Sequence, residues 1–278
     1  MNLAHWLARQ AQIKPERPAL FLGRNCVADY GTFWSDAQAI AGWLVAQGVR
    51  PGDRVALYMK NVPDYLTAFY GIWAAGAAVV PINAKLHGRE AAFILADSGA
   101  SHVFASPEMK QALTRVNENV PVTTVPGAAF EEQLRHAHMT DIIARQPDYL
   151  EWLFYTSGTT GKPKGVMMTH RMLMSMSQCD QTDVDKVTGK DATLYAAPMS
   201  HGAGMYNMLH VQAGARHVCP ASGGFEPAEI FDLAAHFGNM HLFAAPTMVK
   251  RMTDAARAAG CKGDGLRTVV YAGGPMYN

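Results

Sequence analysis

The chain has 278 residues, of which 49% are hydrophobic and 17% are charged, and its formal net charge is +1. This composition supplies enough apolar material for one large domain or two smaller ones, and it excludes a disordered chain. The near-neutral charge, without long runs of lysine and arginine, argues against a nucleic-acid-binding surface. The four scattered cysteines form no CxxC pair, which argues against structural zinc and favours a reducing compartment.

The sequence carries no recognisable targeting or membrane segment. Its N-terminus lacks the basic start and the apolar block of a secretion signal. The most apolar run, residues 68–82, is too short to span a bilayer and contains Gly71, Gly76 and Pro81. We therefore expect a cytoplasmic protein without a transmembrane segment.

In chain order, the first half alternates helices with strands across short glycine or proline turns. The predicted helices cover residues 3–13, 32–47, 64–75, 88–98 and 107–118, and the predicted strands cover 19–22, 27–30, 54–59, 77–82, 102–105 and 120–125. The first two strands flank Gly23-Arg24-Asn25 and are interpreted as a hairpin. Residues 126–148 are polar and weakly periodic, and we interpret them as a connection between two sub-domains.

The alternation resumes in the second half. A predicted strand from residue 150 leads into a glycine-rich loop, a second strand ends at 168, and a helix begins at 170. The later predicted strands cover 193–196, 215–219, 240–244 and 266–271. The later predicted helices cover 226–237 and 247–259. Such alternation predicts parallel strands covered by helices. The predicted fold class is therefore α/β, with layered, parallel-rich sheets flanked by helices. We expect two sub-domains, residues 1–148 with the N-terminal hairpin and residues 149–278 with the loop.

The most informative segment is Tyr155-Thr156-Ser157-Gly158-Thr159-Thr160-Gly161-Lys162-Pro163-Lys164-Gly165. Glycine and proline exclude a helix interior or a packed strand, whereas bare backbone N–H groups, hydroxyls and lysines suit a loop that closes around an anion. It is not the P-loop of the NTPases, because only two residues separate Gly158 from Gly161 and Pro163 stands where a hydroxyl residue is needed. A flexible hydroxyl-rich turn is the simpler alternative.

This segment resembles the signature phosphate loop of the adenylate-forming enzymes, which include acyl-CoA synthetases, peptide-synthetase adenylation domains and luciferases. Residues 74–83 are similar to a packing motif of that family. Residues 271–277 are similar to its adenine-binding turn, with Ala272 where a third glycine is common. The resemblance covers the whole chain but only about the first half of a typical member, and it implies that the small C-terminal domain is absent.

The resemblance implies an ATP-dependent acyl-CoA synthetase that uses ATP, Mg²⁺ and coenzyme A. Its implied phosphate ligands are Ser157, Gly158, Thr159, Thr160, Gly161 and Lys164, and its implied adenine-site residues are Gly273, Gly274 and Pro275. Thr156 is implied to help hold Mg²⁺, and Lys164 to supply positive charge for the reaction. Lys162 stands where the family varies and is interpreted as a solvated side chain.

The segment 197–206 carries a second candidate catalytic residue. A lone histidine in apolar surroundings is more often structural, but the family has a Pro-x-x-His sequence here, which implies that His201 borders the acyl pocket and the nucleotide. The other histidines, such as His210, His217 and His236, are interpreted as structural.

The same region bears on the substrate. The resemblance implies that amino-acid-activating members of the family place an aspartate here to hold the substrate ammonium. Between Asp191 and Glu226 this sequence has no aspartate or glutamate, which disfavours an amino-acid substrate. We expect an apolar pocket for a small alkyl or aryl carboxylic acid, built by Met199, Met205, Tyr206, Met208 and residues 243–248.

The chain stops directly after a Gly-Gly turn that normally leads into a helix, so we expect a cut or partial protein. The isolated chain is expected to be inactive as a ligase. A non-catalytic nucleotide-binding or partner-docking module is the alternative, and adenylation that feeds a carrier protein or an oxygenation also stays open. The assembly state is open too, with a homodimer among the expected forms.

Overall fold

The computed structural model describes residues 1–116, 120–156 and 163–275, and these residues form two six-stranded sheets. The chain divides into two compact units. The first unit contains Met1–Arg9, Thr32–Lys60 and Asp64–Met176, and the second contains Gln10–Gly31, Asn61–Pro63 and Ser177–Asn278. None of the helices that the structure describes is both long and apolar enough to cross a membrane.

The strands, in chain order, are β1 Pro18–Leu22, β2 Asn25–Asp29, β3 Arg54–Tyr58, β4 Ala78–Pro81, β5 His102–Ala105, β6 Val122–Thr124, β7 Leu150–Thr156, β8 Lys164–Thr169, β9 Ala192–Leu194, β10 Arg216–Cys219, β11 Met240–Ala244 and β12 Leu266–Tyr271. The helices are α1 Ala4–Ile13, α2 Tyr30–Ala46, α3 Pro63–Ala74, α4 Gly88–Ser98, α5 Pro107–Thr114, α6 Ala128–Gln133, α7 His170–Cys179, α8 Gly202–Met205, α9 Asn207–Ala213, α10 Pro227–Phe237 and α11 Pro246–Ala259. A π-helical turn, Asp180–Val184, follows α7.

The sheet of the first unit has the order β6-β5-β3-β4-β7-β8. All neighbours are parallel except β7 and β8, which form an antiparallel hairpin. Every residue of β4 and β5 is buried. Such short, continuously apolar strands are typical of parallel sheets that carry helices on both faces.

Aromatic side chains fill much of the interior of the first unit. Phe69 and Trp73 of α3 lie with their ring centroids 4.3 Å apart, and the Trp73 indole N–H donates to the carbonyl of Glu151 at 3.0 Å. A Cβ at Gly71 would lie 2.7 Å from Cγ2 of Ile40, so glycine allows α3 to pack directly on α2. The Trp73 side chain of α3 thus holds the backbone of β7, which is the first strand of the β7–β8 hairpin.

The sheet of the second unit has the order β12-β11-β9-β10-β1-β2. Only the β1–β2 hairpin is antiparallel among these described strands. Its core is aliphatic and aromatic, built from the strand interiors and from α10, and Phe21 meets Phe237 edge to face at 5.0 Å. The predicted fold class, an α/β protein with layered, parallel-rich sheets flanked by helices, is confirmed.

The grouping of the strands differs from the predicted division into residues 1–148 and 149–278. β7 pairs with β4 through Val79 and Trp152 and so belongs to the first sheet. β1 pairs with β10, with Leu20 opposite His217, and so belongs to the second. The two units are therefore interleaved along the chain, because the neighbour of a strand in a sheet need not be its neighbour in sequence.

Two further differences concern short helices. Residues 126–148, interpreted as a connection, contain α6, and residues 202–213 contain α8 and α9, which the sequence did not predict. Phe130 is the apolar anchor of α6 and packs edge to face on Phe104 at 6.0 Å. A helix of six residues is too short to repeat its apolar anchor, so it leaves no periodic pattern to detect.

Candidate functional site

The β7–β8 hairpin of the first unit carries two of the predicted site residues. Thr156 ends β7 and Lys164 begins β8, and the strand register places them directly opposite each other. Both are exposed. A Cβ at Gly165 would lie 3.1 Å from Cδ1 of Leu153, so glycine beside Lys164 lets the two strands approach closely. A hydroxyl and an ammonium group thus stand on the two strands that flank the glycine-rich segment.

The end of β7 is held by its neighbour, Tyr155. The Tyr155 hydroxyl donates to Oδ2 of Asp97 on α4 at 2.6 Å. Burial, and then this hydrogen bond, raises the pKa of Tyr155, so the donor keeps its proton at neutral pH. The predicted phosphate ligands that follow lie outside the described residues; they are Ser157, Gly158, Thr159, Thr160 and Gly161.

In the second unit, the carboxyl ends of β9, β11 and β12 form one edge of the sheet. These strands are parallel neighbours, so the segments that follow them leave on the same side, which is where ligands bind in α/β sheets. Gly273 follows β12 with φ +89°, a left-handed value that favours glycine. A Cβ at Gly274 would lie 3.9 Å from Cγ of Pro246, the first residue of α11. Gly273, Gly274 and Pro275 therefore lie at this ligand-type edge.

His201 reaches the same edge from β9. It is the residue directly before α8, and its Nδ1 lies 3.0 Å from the hydroxyl oxygen of Ser200. Burial lowers the pKa of His201, against a smaller opposing effect of the hydrogen bond to the Ser200 backbone. A Cβ at the next residue, Gly202, would overlap the ring of Phe243 on β11. The structure thus brings the His201 segment against β11.

A small cleft lies on one face of the second sheet. Register partners on three adjacent strands, Thr193, His241 and Thr268, contribute to it. Tyr206, the residue between α8 and α9, and His210 of α9 complete its wall. The other lining residues are Asp180, Asp185, Leu242, Phe243 and Val270.

A network of charged groups lies beside the cleft, and its members Asp185 and Thr268 line the cleft. Arg267 donates from Nε to Asp185 at 3.0 Å and from Nη1 to Asp191 at 3.1 Å, and the Thr268 hydroxyl also donates to Asp185. Burial raises the pKa of Asp185, but the hydrogen bonds from Thr268 and Arg267 outweigh it and hold the pKa below its ordinary value. Asp185 is therefore an ionised and well-paired carboxylate beside the cleft, with Nδ1 of His241 4.0 Å from its Oδ2.

The two imidazoles of the cleft are both buried, His210 with 2% and His241 with 6% of its surface exposed. Burial, assisted by the neighbouring His241, lowers the pKa of His210 to about 3. Burial also lowers the pKa of His241, although Asp191 and Asp185 oppose it. Both side chains are therefore neutral at pH 7.

The pocket expected from the sequence corresponds only in part to this cleft. Tyr206 and Phe243 line it, as predicted, with ring centroids 5.8 Å apart, whereas Met199 and Met208 are fully buried. His210, interpreted as structural, lines the cleft. Spacing was the signal that could have found it: Tyr206 and His210 lie four apart on one helical stretch, and His241 and Phe243 two apart on one strand.

A family model described as "AMP-binding enzyme" matches residues 7–278. Feruloyl-CoA synthase of Amycolatopsis sp is 29% identical over 283 residues, which cover 99% of this chain and 55% of that protein. Long-chain-fatty-acid–CoA ligase FadD13 of Mycobacterium tuberculosis is 33% identical over 215 residues, which cover 75% of this chain and 42% of that protein.

Solved structures agree with these matches. The inhibitor-bound crystal structure of the N-terminal domain of FACL13 from Mycobacterium tuberculosis superposes with a TM-score of 0.86 and 29% identity, covering 99% of this chain and 71% of that chain. The chain spans about half the length of the curated relatives it matches.

Proposed function

The chain belongs to the AMP-binding enzyme family, and from this premise we propose that it forms part of an ATP-dependent acyl-CoA synthetase. The similar proteins reported above are a CoA synthase and a CoA ligase. In the proposed reaction the carboxylate of an alkyl or aryl acid attacks the α-phosphate of ATP and pyrophosphate leaves. The thiol of coenzyme A then takes the acyl group from the acyl-adenylate and releases AMP.

The observation that carries this proposal is the pairing of Thr156 with Lys164 on the two strands that flank the glycine- and threonine-rich segment. Negative charge builds on the phosphate oxygens during adenylation, and fixed donors and cations stabilise it. We propose that Lys164 supplies a positive charge to these oxygens. The backbone N–H and hydroxyl groups of Ser157, Gly158, Thr159, Thr160 and Gly161 are the proposed donors.

Mg²⁺ is typical of the family, and the Thr156 hydroxyl suits a single protein ligand because it is an exposed oxygen at a strand end. Within the described residues, no group of three histidine, cysteine, aspartate or glutamate side chains could hold a metal ion. Most ligands would then be phosphate oxygens and water, as is usual for magnesium bound with a nucleotide. When bound, the ion supplies positive charge to the phosphates.

We propose that His201 borders the acid, and that Gly273, Gly274 and Pro275 contact the adenine. His201 stays neutral at pH 7 because burial lowers its pKa. A neutral imidazole can donate and accept hydrogen bonds, but it carries no positive charge that would attract the phosphates.

Pyrophosphate exchange in the complete natural protein, with a panel of alkyl and aryl acids, tests this function. Lys164→Ala should slow exchange by about 10²–10³-fold, the usual effect of removing one group that stabilises transition-state charge. Lys162→Ala is the matched control, because it removes the same charge two residues away and should leave exchange near the wild-type rate. We expect the isolated 278-residue chain to form negligible acyl-CoA.

Other outcomes would favour other functions. Unchanged exchange with a lower melting temperature in Lys164→Ala would make Lys164 structural. Binding of ATP or AMP by the complete protein without exchange would favour a nucleotide-binding or docking module. Transfer of the acyl group to a carrier protein, but not to coenzyme A, would favour a carrier-protein ligase, and such a ligase is among the similar proteins.

A further inference from the structure

Asn61 lies between β3 and α3, and its buried side chain holds a distant segment of the second unit. The amide nitrogen Nδ2 donates to the carbonyl oxygens of Tyr195 and Ala197, each at 2.7 Å. The amide oxygen Oδ1 accepts from the backbone N–H of Met199 at 3.0 Å. Because only the NH2 end can donate to two carbonyl groups, these partners also determine which way the amide faces.

The three backbone groups that Asn61 contacts lie in the segment that directly follows β9, and Tyr195, Ala197 and Met199 are all buried. The N–H of Tyr195 still bonds to β10, at 2.9 Å from the carbonyl oxygen of Val218, but the Tyr195 carbonyl faces Asn61. Buried backbone groups need partners wherever regular structure ends. The Asn61 side chain supplies them in the irregular backbone after β9.

The residues that Asn61 holds lead directly into the turn that carries His201. The N–H of His201 donates to the carbonyl oxygen of Pro198 at 3.1 Å, which closes a β-turn from Pro198 to His201. Met199 is the second residue of this turn, and its N–H is the group that Asn61 holds. At the end of the turn, Nδ1 of His201 lies 3.0 Å from the hydroxyl oxygen of Ser200. A short series of hydrogen bonds therefore connects Asn61 with the backbone that carries the His201 ring.

This role differs from the one that the position of Asn61 in the sequence indicates. An asparagine shortly before a helix often caps that helix, and α3 begins two residues later. The three hydrogen bonds of Asn61 go instead to residues that lie 134 to 138 positions further along the chain. The side chain thus joins the start of one element to the segment that contains a proposed site residue.

A second asparagine, Asn2 of the first unit, makes the same set of bonds and provides a matched comparison. It is buried, and its Nδ2 donates to the carbonyl oxygens of Trp73 and Ile143 at 2.5 and 3.0 Å. Its Oδ1 accepts from the N–H of Ala4 at 2.9 Å. Both side chains therefore stabilise the fold through two donated bonds and one accepted bond to the backbone. They differ in the segments that they hold.

We propose that Asn61 is a positioning residue, which sets the place of His201 beside the reacting acid by holding the backbone between β9 and the turn. This inference rests on the proposed acyl-CoA synthetase function and on the place proposed for His201 in it. Asn61 acts through the backbone and not by contact with the acid. A shift of about 1 Å in a positioned group can slow a reaction by about 10²-fold.

The test is a double-mutant cycle of Asn61 and His201 in pyrophosphate exchange by the complete natural protein, with an acid that the wild type activates. Asn61→Ala should lower kcat per folded molecule by about 10²-fold. In the His201→Ala background the same change should alter kcat little, because the side chain that Asn61 positions is already absent. Asn2→Ala is the matched control, and it should lower the melting temperature but keep the kcat of its background.

A second variant, Asn61→Asp, keeps the size of the side chain and the oxygen that accepts from Met199, but it replaces the amino group that donates to the two carbonyls. It should lose less kcat than Asn61→Ala, because the bond at the turn is kept. This variant carries the cycle if Asn61→Ala does not fold. Failure of both variants to fold, while Asn2→Ala folds, would make Asn61 a structural residue and overturn the inference.

Nitrogen-15 spectra of histidine-labelled protein give a readout that does not depend on turnover. The ring resonances of His201, identified by their loss in His201→Ala, should move in Asn61→Ala and stay in Asn2→Ala. Equal losses of kcat with and without His201, or unmoved His201 resonances, would overturn the inference and leave the synthetase function intact. Unchanged kcat in His201→Ala would also overturn it, because there would be no catalytic place to set. Moved resonances in a protein that shows no exchange with any acid would support the positioning of His201 and contradict the function.

Discussion

His102 in the first unit and His210 in the second are both buried and both have a strongly lowered pKa, yet their surroundings differ. Nε2 of His102 lies 2.9 Å from the Thr123 hydroxyl oxygen, which also accepts from the Gln133 amide at 2.8 Å. Nε2 of His210 has no partner among the described residues and lies beside a cleft. Burial and a shifted pKa are common to both, so neither identifies a binding site. The unpaired acceptor next to open space is the informative difference.

The largest test of this comparison is the pH dependence of stability. Burial lowers the pKa of His102 from 6.5 to about 4. The unfolded chain therefore takes up the proton first as the pH falls, so the contribution of His102 is complete above pH 6.5 and is lost towards pH 4. The free energy of unfolding should fall by about 3 kcal/mol from this group alone. Urea unfolding at pH 7 and at pH 4 measures this loss. The free energy of unfolding should fall between the two pH values by about 3 kcal/mol more in wild type than in His102→Leu.

If wild type and His102→Leu lost the same free energy of unfolding between pH 7 and pH 4, the ring could be protonated inside the fold. The other buried histidines contribute to both proteins alike, so they cancel in the difference. His210→Leu, measured in the same way, tests whether the group beside the cleft obeys the same linkage.

The next test asks whether the second unit is loosely packed as a whole. Arg267→Ala should lower the free energy of unfolding by about 2 kcal/mol, because it leaves the buried carboxylate of Asp191 and the carboxylate of Asp185 without their cation. Arg257→Ala is the control, since Arg257 is largely exposed and 3.9 Å from Asp254, and it should change stability by less than about 0.5 kcal/mol. If both variants unfolded at the wild-type urea midpoint, the unpaired imidazoles would reflect poor packing and not a site.

His102→Leu at pH 7 should cost about 1.5 kcal/mol, because it removes the buried hydrogen bond between Nε2 and the Thr123 hydroxyl. The double variant with Thr123→Val should lose less than the sum of the two single variants, since each single change already breaks the His102–Thr123 hydrogen bond, while Thr123→Val also removes the acceptor of the Gln133 amide. Thermal or urea unfolding of the single and double variants measures the coupling. Strict additivity would mean that the hydrogen bond contributes nothing.

The smallest effect is expected for His210→Leu, within about 1 kcal/mol of wild type in either direction. The substitution removes one hydrogen bond to the Tyr206 carbonyl but also removes a buried nitrogen without a partner. A loss as large as that of His102→Leu, in the same unfolding assay, would place His210 among the structural histidines.

Much of the fold was predictable because local patterns determine it. The apolar runs of β3, β4 and β5, the hairpin around Gly23-Arg24-Asn25, and the strands that bracket the glycine-rich segment all follow from period and turn chemistry. The partnership of Thr156 with Lys164 follows from the same hairpin. These features depend on residues close in sequence.

The cleft was not predictable, because it depends on contacts between distant residues. Spacing places Tyr206 and His210 together, but the contact of His210 with His241 depends on the pairing of β11 with β9 and β12. The pairing of β7 with β4 was not predicted for the same reason. A sequence shows that a histidine is present, but the pairing of strands in the folded sheet determines which groups lie near its ring.

The pairing of β1 with β10 has a consequence for synthesis in the cell. Leu20 and His217 are register partners, so nearly 200 residues must leave the ribosome before β1 acquires its neighbour. At a synthesis rate of about 5–20 residues per second, the apolar edge of the nascent β1–β2 hairpin stays unpaired for roughly 10–40 s. During that interval an unpaired strand edge is a template for aggregation. Newly made chains should therefore depend on chaperones more than an uninterrupted domain of equal size would.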